Sequence, residues 1–138
     1  MNSRYLEPTQ AAGAKLFSKN ITGEIMMLNL LKFRNNADYS KHADLAPKQA
    51  ITGEQAYQLY MEHTAPFLEQ SDGEIILLGK SDNFFIGPSD EKWDLVMLVK
   101  QRSLNDFLAF ATNEDYLKGM GHREAALEDS RLLPIEPI

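Results

Sequence analysis

The run Ile25-Met26-Met27-Leu28-Asn29-Leu30-Leu31-Lys32-Phe33, opened by Gly23, decides the fold. It is too densely apolar for a strand with one face in water. Side chains alternate along a strand, so Met26, Leu28 and Leu30 share one side, and Met27, Leu31 and Phe33 the other. Both faces therefore need cover. Working outward from this first strand, Ala12, Leu16 and Phe17 recur at helical spacing between Pro8 and about Lys19, which places a helix in an N-terminal extension over residues 1–22.

Downstream, residues 34–52 read as one long irregular polar loop, either a cover for a pocket or a surface excursion. Thr52 and Gln55 form a capping-box signature, followed by a stripe of Tyr57, Tyr60, Met61, Thr64 and Leu68. That pattern predicts a helix to about Ser71, kinked near Pro66. Asp72-Gly73 is a turn signal, Glu74 to Lys80 a second strand, and Trp93 to Val99, after the turn Gly87-Pro88-Ser89-Asp90, a third. Ser103 is a plausible N-cap for a helix carrying Leu104, Phe107, Leu108 and Ala111. A further helical stretch spans roughly Asn113 to Asp129, where Gly119 and Gly121 each cost about 1 kcal/mol and are candidate breaks. Arg131 to Ile138, with Pro134 and Pro137, suits an edge strand only.

After the N-terminal helix this order is β-α-β-β-α-β, an α+β, ferredoxin-like plan with an antiparallel sheet. Helices cover one face of such a sheet. The apolar second face then calls for a second copy of the chain packed sheet to sheet, two-fold dimers being the commonest oligomer.

The 138 residues carry 14 Lys+Arg against 20 Asp+Glu, a net charge of −6, and no Cys. That is the size of one domain, 1–138, able to bury a core without disulfides or structural metal. The missing cysteines exclude disulfides, thiolate metal sites and cysteine nucleophiles. An acidic balance without a basic cluster argues against nucleic acid and anionic membranes as partners. No apolar run approaches the ~18 residues of a membrane span, and the first residues lack the apolar core of a signal peptide, so a cytoplasmic protein is expected. Nucleotide-binding glycine motifs, the hydrolase elbow and His/Glu metal motifs do not occur, and no cofactor is expected.

Among chemistry-bearing residues, Asn29 lies mid-strand among leucines, where it either bonds backbone or the dimer mate, or serves as a polar handle in a cavity. Arg123 follows Tyr116 by seven residues and precedes Leu127 by four, which on an unbroken helix sets its permanent charge on their apolar face. Its partner is a carboxylate, Asp94 first, or an anionic substrate. His63 and His122 are each a candidate general base or axial haem ligand, or simply structural. His42, in the polar loop, reads as solvent-exposed. Trp93 alternates onto the face of Leu95, Met97 and Val99, as core, interface or ligand platform, and Asp94 onto that of Val96 and Leu98. Asp94 is also a candidate general base. Tyr60 and Tyr57 belong first to helix-sheet packing, with hydroxyls at the margin.

Several motifs resemble a known family: Pro8-Thr9, Met27-Leu28-Asn29-Leu30-Leu31-Lys32-Phe33-Arg34, Gly53-Glu54-Gln55-Ala56-Tyr57, Ile86-Gly87-Pro88, Trp93-Asp94-Leu95-Val96, Tyr116, and His122-Arg123 through Leu132. From about Pro8 to Pro134 the chain is similar to domain-of-unknown-function family 1330, of the dimeric α+β barrel superfamily. It departs at Gln101-Arg102-Ser103, where that family has Tyr-Pro-Ser. The resemblance implies a fold and a homodimer and no particular reaction, since the superfamily holds cofactor-less monooxygenases, isomerases, haem-binding enzymes and sensing domains.

Three functions follow as expectations. The first is a cofactor-independent enzyme of isomerase or monooxygenase type acting on a small, partly apolar, anionic molecule, with His63, Asp94 and Arg123 catalytic. Asn29, Tyr60, Trp93, Tyr116 and His122 would bind the ligand. The second is a non-enzymatic binding or sensing dimer using the same cavity, and the third a haem-binding barrel.

Overall fold

The computed structural model of the chain describes residues 4–138. Helix α1 (Gln10–Ser18) starts two residues after Pro8, capped by the Thr9 hydroxyl accepting the Ala12 N–H at 3.0 Å. Strand β1 (Ile25–Phe33) has the expected bounds. Helix α2 (Gly53–Gln70) opens on the Thr52/Gln55 capping box, both reciprocal bonds being formed, and continues past Pro66. Strands β2 (Glu74–Lys80) and β3 (Leu95–Gln101) form the hairpin, and Ser103 caps α3 (Leu104–Ala111) as its spacing indicates.

Two boundaries differ from expectation, and one of the two candidate glycine breaks is taken. Strand β3 begins at Leu95 and not at Trp93, because Asp94 sits in a bend whose N–H bonds Leu31 O and whose carboxylate caps the end of β1. The stretch after Asn113 breaks at Gly119 into α4 (Glu114–Leu117) and α5 (Met120–Ala126). It then ends at Ala126, and β4 (Leu127–Ile135) starts four residues before Arg131. Glu128 and Asp129 suit a solvated helix face equally well, and the pairing of Leu127 with Phe33 and Asp129 with Lys32 decides for strand.

The sheet order is β2-β3-β1-β4 with every neighbouring pair antiparallel, the ferredoxin-like topology. Helices cover one face. There Leu31, Ala56, Tyr57, Tyr60, Tyr116, Ala126 and Leu127 form one buried cluster. Ile25, Met27, Met97, Val99 and Leu104 form a second, against which Leu16 and Phe17 of α1 pack. The N-terminal helix thus covers this second cluster beside Met61 and Leu68 of α2.

The opposite face is apolar and bare in the single chain. Cross-strand partners share a face, so the rows Ile135-Met26 and Leu133-Leu28-Leu98-Leu77 lie side by side on it. Leu133 is 58% exposed and Leu77 56%.

Candidate functional site

Where β1 leaves the sheet, the chain passes between the start of α2 and the end of α5. The Arg34 N–H donates to Ala126 O at 2.9 Å, and Gly53 N–H donates to Arg34 O at 3.1 Å. A Cβ at residue 53 would collide with both those carbonyl oxygens, so only glycine admits this approach. Beside this crossing a cleft of about 940 Å³ opens between α2 and the β2–β3 side of the sheet. Phe33, Met61, Leu78 and Leu95 give it an apolar wall, and Arg34, Lys80 and Asp94 stand in its lining. The cleft is open to solvent, and Thr52, Glu54, Gln58, Glu62 and Ser81 add a polar rim to this wall.

Asp94 belongs to this cleft. Its Oδ2 accepts the Phe33 N–H at 2.8 Å, while Oδ1 takes no hydrogen bond among the described residues. One oxygen therefore fixes the carboxylate at the end of β1, and the other has no hydrogen bond within the described chain. The expected Asp94–Arg123 ion pair does not form. Arg123 Nη1 donates to Leu6 O and Nη2 to Ser130 Oγ at 3.3 Å, because the N-terminal segment at Tyr5–Leu6 lies across the start of β4.

The other sequence-selected residues lie outside the cleft lining. Asn29 is buried with Nδ2 donating to Met27 O at 3.2 Å and Met97 O at 3.4 Å, a backbone role. His63 Nε2 donates to Asp115 O at 2.9 Å and Tyr116 O at 3.2 Å, tying α4 to α2, with Gly119 close beneath its ring. His122 Nδ1 lies 2.7 Å from the Tyr39 hydroxyl, and burial, then the nearby His63, push its pKa down. Tyr60 and Tyr116 share a hydroxyl–hydroxyl bond of 2.7 Å within the core. Burial, followed by the neighbouring Tyr60, drives the Tyr57 and Tyr116 pKa values well up, so both phenols stay protonated.

Trp93 departs from its expected face. Arg131, paired with Leu30 on the open face, sits 4.9 Å from the Trp93 ring and 4.7 Å from that of Tyr5. The bend at Asp94 breaks the alternation, so Trp93 packs beneath Arg131 on the side away from the helices. His42 is not free in solvent either: its Nε2 meets Glu124 Oε2 at 2.8 Å. The middle of the 34–52 segment, with a 3-10 turn at Ala43–Leu45, packs on α5 through His42 and Tyr39. Only its ends, at Arg34, Asn35 and Thr52, reach the cleft.

Arg34, Met61 and Lys80 were not singled out as site residues from sequence. Arg34 does close the motif Leu30-Leu31-Lys32-Phe33-Arg34, and Met61 lies on the α2 stripe, but neither position shows which residues it will face. Among the described residues no cluster of His, Asp or Glu could hold a metal ion, and no helix is long and apolar enough to cross a membrane.

The four-stranded antiparallel sheet, helices on one face and a cleft beneath α2 define a ferredoxin-like α+β protein. The chain is similar to the RPA0582 protein of Rhodopseudomonas palustris, a protein of unknown function, at 32% identity over 99% of this chain and 98% of that one, with a TM-score of 0.83. The methylated form of RPA0582 matches at 32% identity, 99% and 97% coverage, and a TM-score of 0.86. The chain belongs to the family of that protein. A dimeric protein of unknown function with a ferredoxin-like fold from Bacteroides fragilis NCTC 9343 shares the fold, at 14% identity, 85% and 99% coverage, and a TM-score of 0.51. No family model and no curated protein sequence matches the chain.

Proposed function

We propose that the protein is a homodimer, joined through the bare sheet face, that converts a small, partly apolar molecule in the α2–β3 cleft without a cofactor. Asp94 is the group that accepts or returns a proton, in isomerase or monooxygenase-like chemistry. The observation that carries this is the placement of a carboxylate with one committed oxygen against an apolar wall, an environment suited to a general base. We assign the family shared with RPA0582 to domain-of-unknown-function family 1330, on the motifs around Asn29 and His122-Arg123.

The second reading is a dimer that binds the same molecule without turning it over. Its support is that Asp94 already has a structural duty at Phe33 and that His63 is spent on backbone carbonyls. Neither His63 nor His122 lines the cleft, which leaves the haem reading without an observation in its favour.

Native mass spectrometry of the untagged protein, followed by incubation of any retained compound with wild type and Asp94→Asn, separates these readings. The amide oxygen can still accept the Phe33 N–H, so the variant should fold and bind. Conversion by wild type alone supports the enzyme. Retention by both without conversion supports the binding module, and a monomer with no retained or added ligand in the cleft refutes both.

A further inference from the structure

We infer that the cleft takes a carboxylic acid, its carboxylate held by Arg34 and its apolar body laid along Met61, Leu78 and Leu95. This rests on the reading of the cleft as a ligand site and adds the class of ligand and the residue that selects it. Arg34 Nε is buried and has no hydrogen-bond partner, and no carboxylate lies within ion-pair distance of its guanidinium among the described residues. A guanidinium cannot shed its charge, and a buried N–H without an acceptor costs about 1–3 kcal/mol, so an orphan of this kind calls for an explanation. An acid bound in the cleft neutralises the charge of this guanidinium, whose fork has no carboxylate partner among the described residues.

The charged groups around Arg34 are exposed to water or engaged elsewhere, which leaves its own charge as the one to be matched. Lys80 also lines the cleft without an ion-pair partner among the described residues. Asp38 and Glu124 feel the charge of Arg34 but pair with others, Asp38 with Ser40 and Glu124 with His42. Of the cleft's own carboxylates, Asp94 is bonded to the Phe33 N–H, and Glu54 and Glu62 are exposed on α2, where water screens them. Arg123, the anion holder expected from sequence, is instead satisfied by Leu6 O and the Ser130 hydroxyl, away from the cleft. A carboxylate fits better than a phosphate. Its two oxygens match the planar guanidinium fork, and the apolar wall has no use in binding inorganic phosphate.

The test is a titration of the full-length, isotope-labelled protein with sodium benzoate, its uncharged isostere benzamide, and inorganic phosphate, followed by amide NMR shifts. Benzoate should shift resonances around Arg34, Met61 and Leu78 and bind about tenfold or more tighter than benzamide or phosphate. Arg34→Gln should abolish that preference, and Arg34→Lys, which keeps the charge, should restore part of it. The Arg34 side chain makes no hydrogen bond or ion pair among the described residues, so an unchanged spectrum of free Arg34→Gln is expected and verifies folding. Equal binding of benzoate and benzamide in the cleft, or a preference that survives Arg34→Gln, overturns the acid assignment and leaves the cleft reading intact. Phosphate binding as tightly as benzoate overturns the choice of a carboxylate. No shift in the cleft with any probe up to tens of millimolar, or shifts confined to Arg123 and Ser130, overturns the acid site together with the cleft reading.

Discussion

If the chain pairs through the bare sheet face as proposed, replacing Leu133 with lysine should dissociate the pair while leaving the monomer folded. Leu133 lies beside Leu28 in the apolar row of the bare sheet face and is 58% exposed in the single chain. Fully burying a leucine side chain is worth about 1.5–3 kcal/mol, and a two-fold interface buries two copies. Losing the buried share of both therefore weakens association by roughly 2–3.5 kcal/mol, a rise in Kd of about 30- to 300-fold. The lysine ammonium adds a desolvation cost unless it reaches the rim. Sedimentation velocity over a dilution series reads this directly, with far-UV circular dichroism as the check on folding. Leu108→Lys, on α3 and 43% exposed, serves as the control and should leave association unchanged. A wild-type protein monomeric at tens of micromolar, or a Leu133→Lys dimer as tight as wild type, would refute the assignment of the sheet face as the interface.

Gly53→Ala should be severely destabilising, by about 3 kcal/mol and roughly 10 °C in Tm, because its Cβ meets backbone carbonyls that cannot swing aside. Gly13→Ala in α1, with nothing near the new methyl, should be neutral to slightly stabilising in the same thermal melts. The lowered pKa of His122 makes stability pH-dependent in a defined direction. The unfolded imidazole takes its proton near pH 6.5 and the folded one only lower, so the unfolded state binds more protons between the two and stability falls as pH drops below about 6.5. Urea titrations from pH 7.5 to 5.5 should show this fall, and His122→Asn should flatten it. Glu124, held low chiefly by His42, adds its own loss only in more acidic solution, below about pH 4.5. Asn29→Leu should change stability by no more than about 1 kcal/mol and leave ligand binding intact, since its amide serves only backbone carbonyls; lost binding with a preserved fold would restore Asn29 to the site.

Local chemistry explains which elements were readable. The β1 bounds, the Thr52/Gln55 box, the Ser103 cap and the break at Gly119 depend on neighbours within a few residues, and each stands where its pattern puts it. The start of β4 was not readable, because Leu127 to Asp129 becomes strand only through pairing with Lys32 and Phe33 at the end of β1, far earlier in the chain. The site fared differently. Of the residues selected as catalytic or ligand-binding, only Asp94 lines the cleft, while Arg34 and Lys80, selected for nothing, stand beside it.

The sequence by itself determined the element order, the apolarity of both sheet faces and hence the ferredoxin-like plan, because burial periodicity and turn chemistry are written in adjacent residues. Only the tertiary structure decided which polar groups meet. Arg123 turned to the Leu6 carbonyl because the N-terminal segment crosses β4, and Trp93 turned to the open face because one bend at Asp94 reversed the strand's parity. Gly53 let the Arg34 backbone close against α2 and α5, and the Arg34 Nε is buried without a partner among the described residues. Spacing along a chain fixes a residue's face within one element, whereas a shared cavity depends on contacts between elements far apart in sequence.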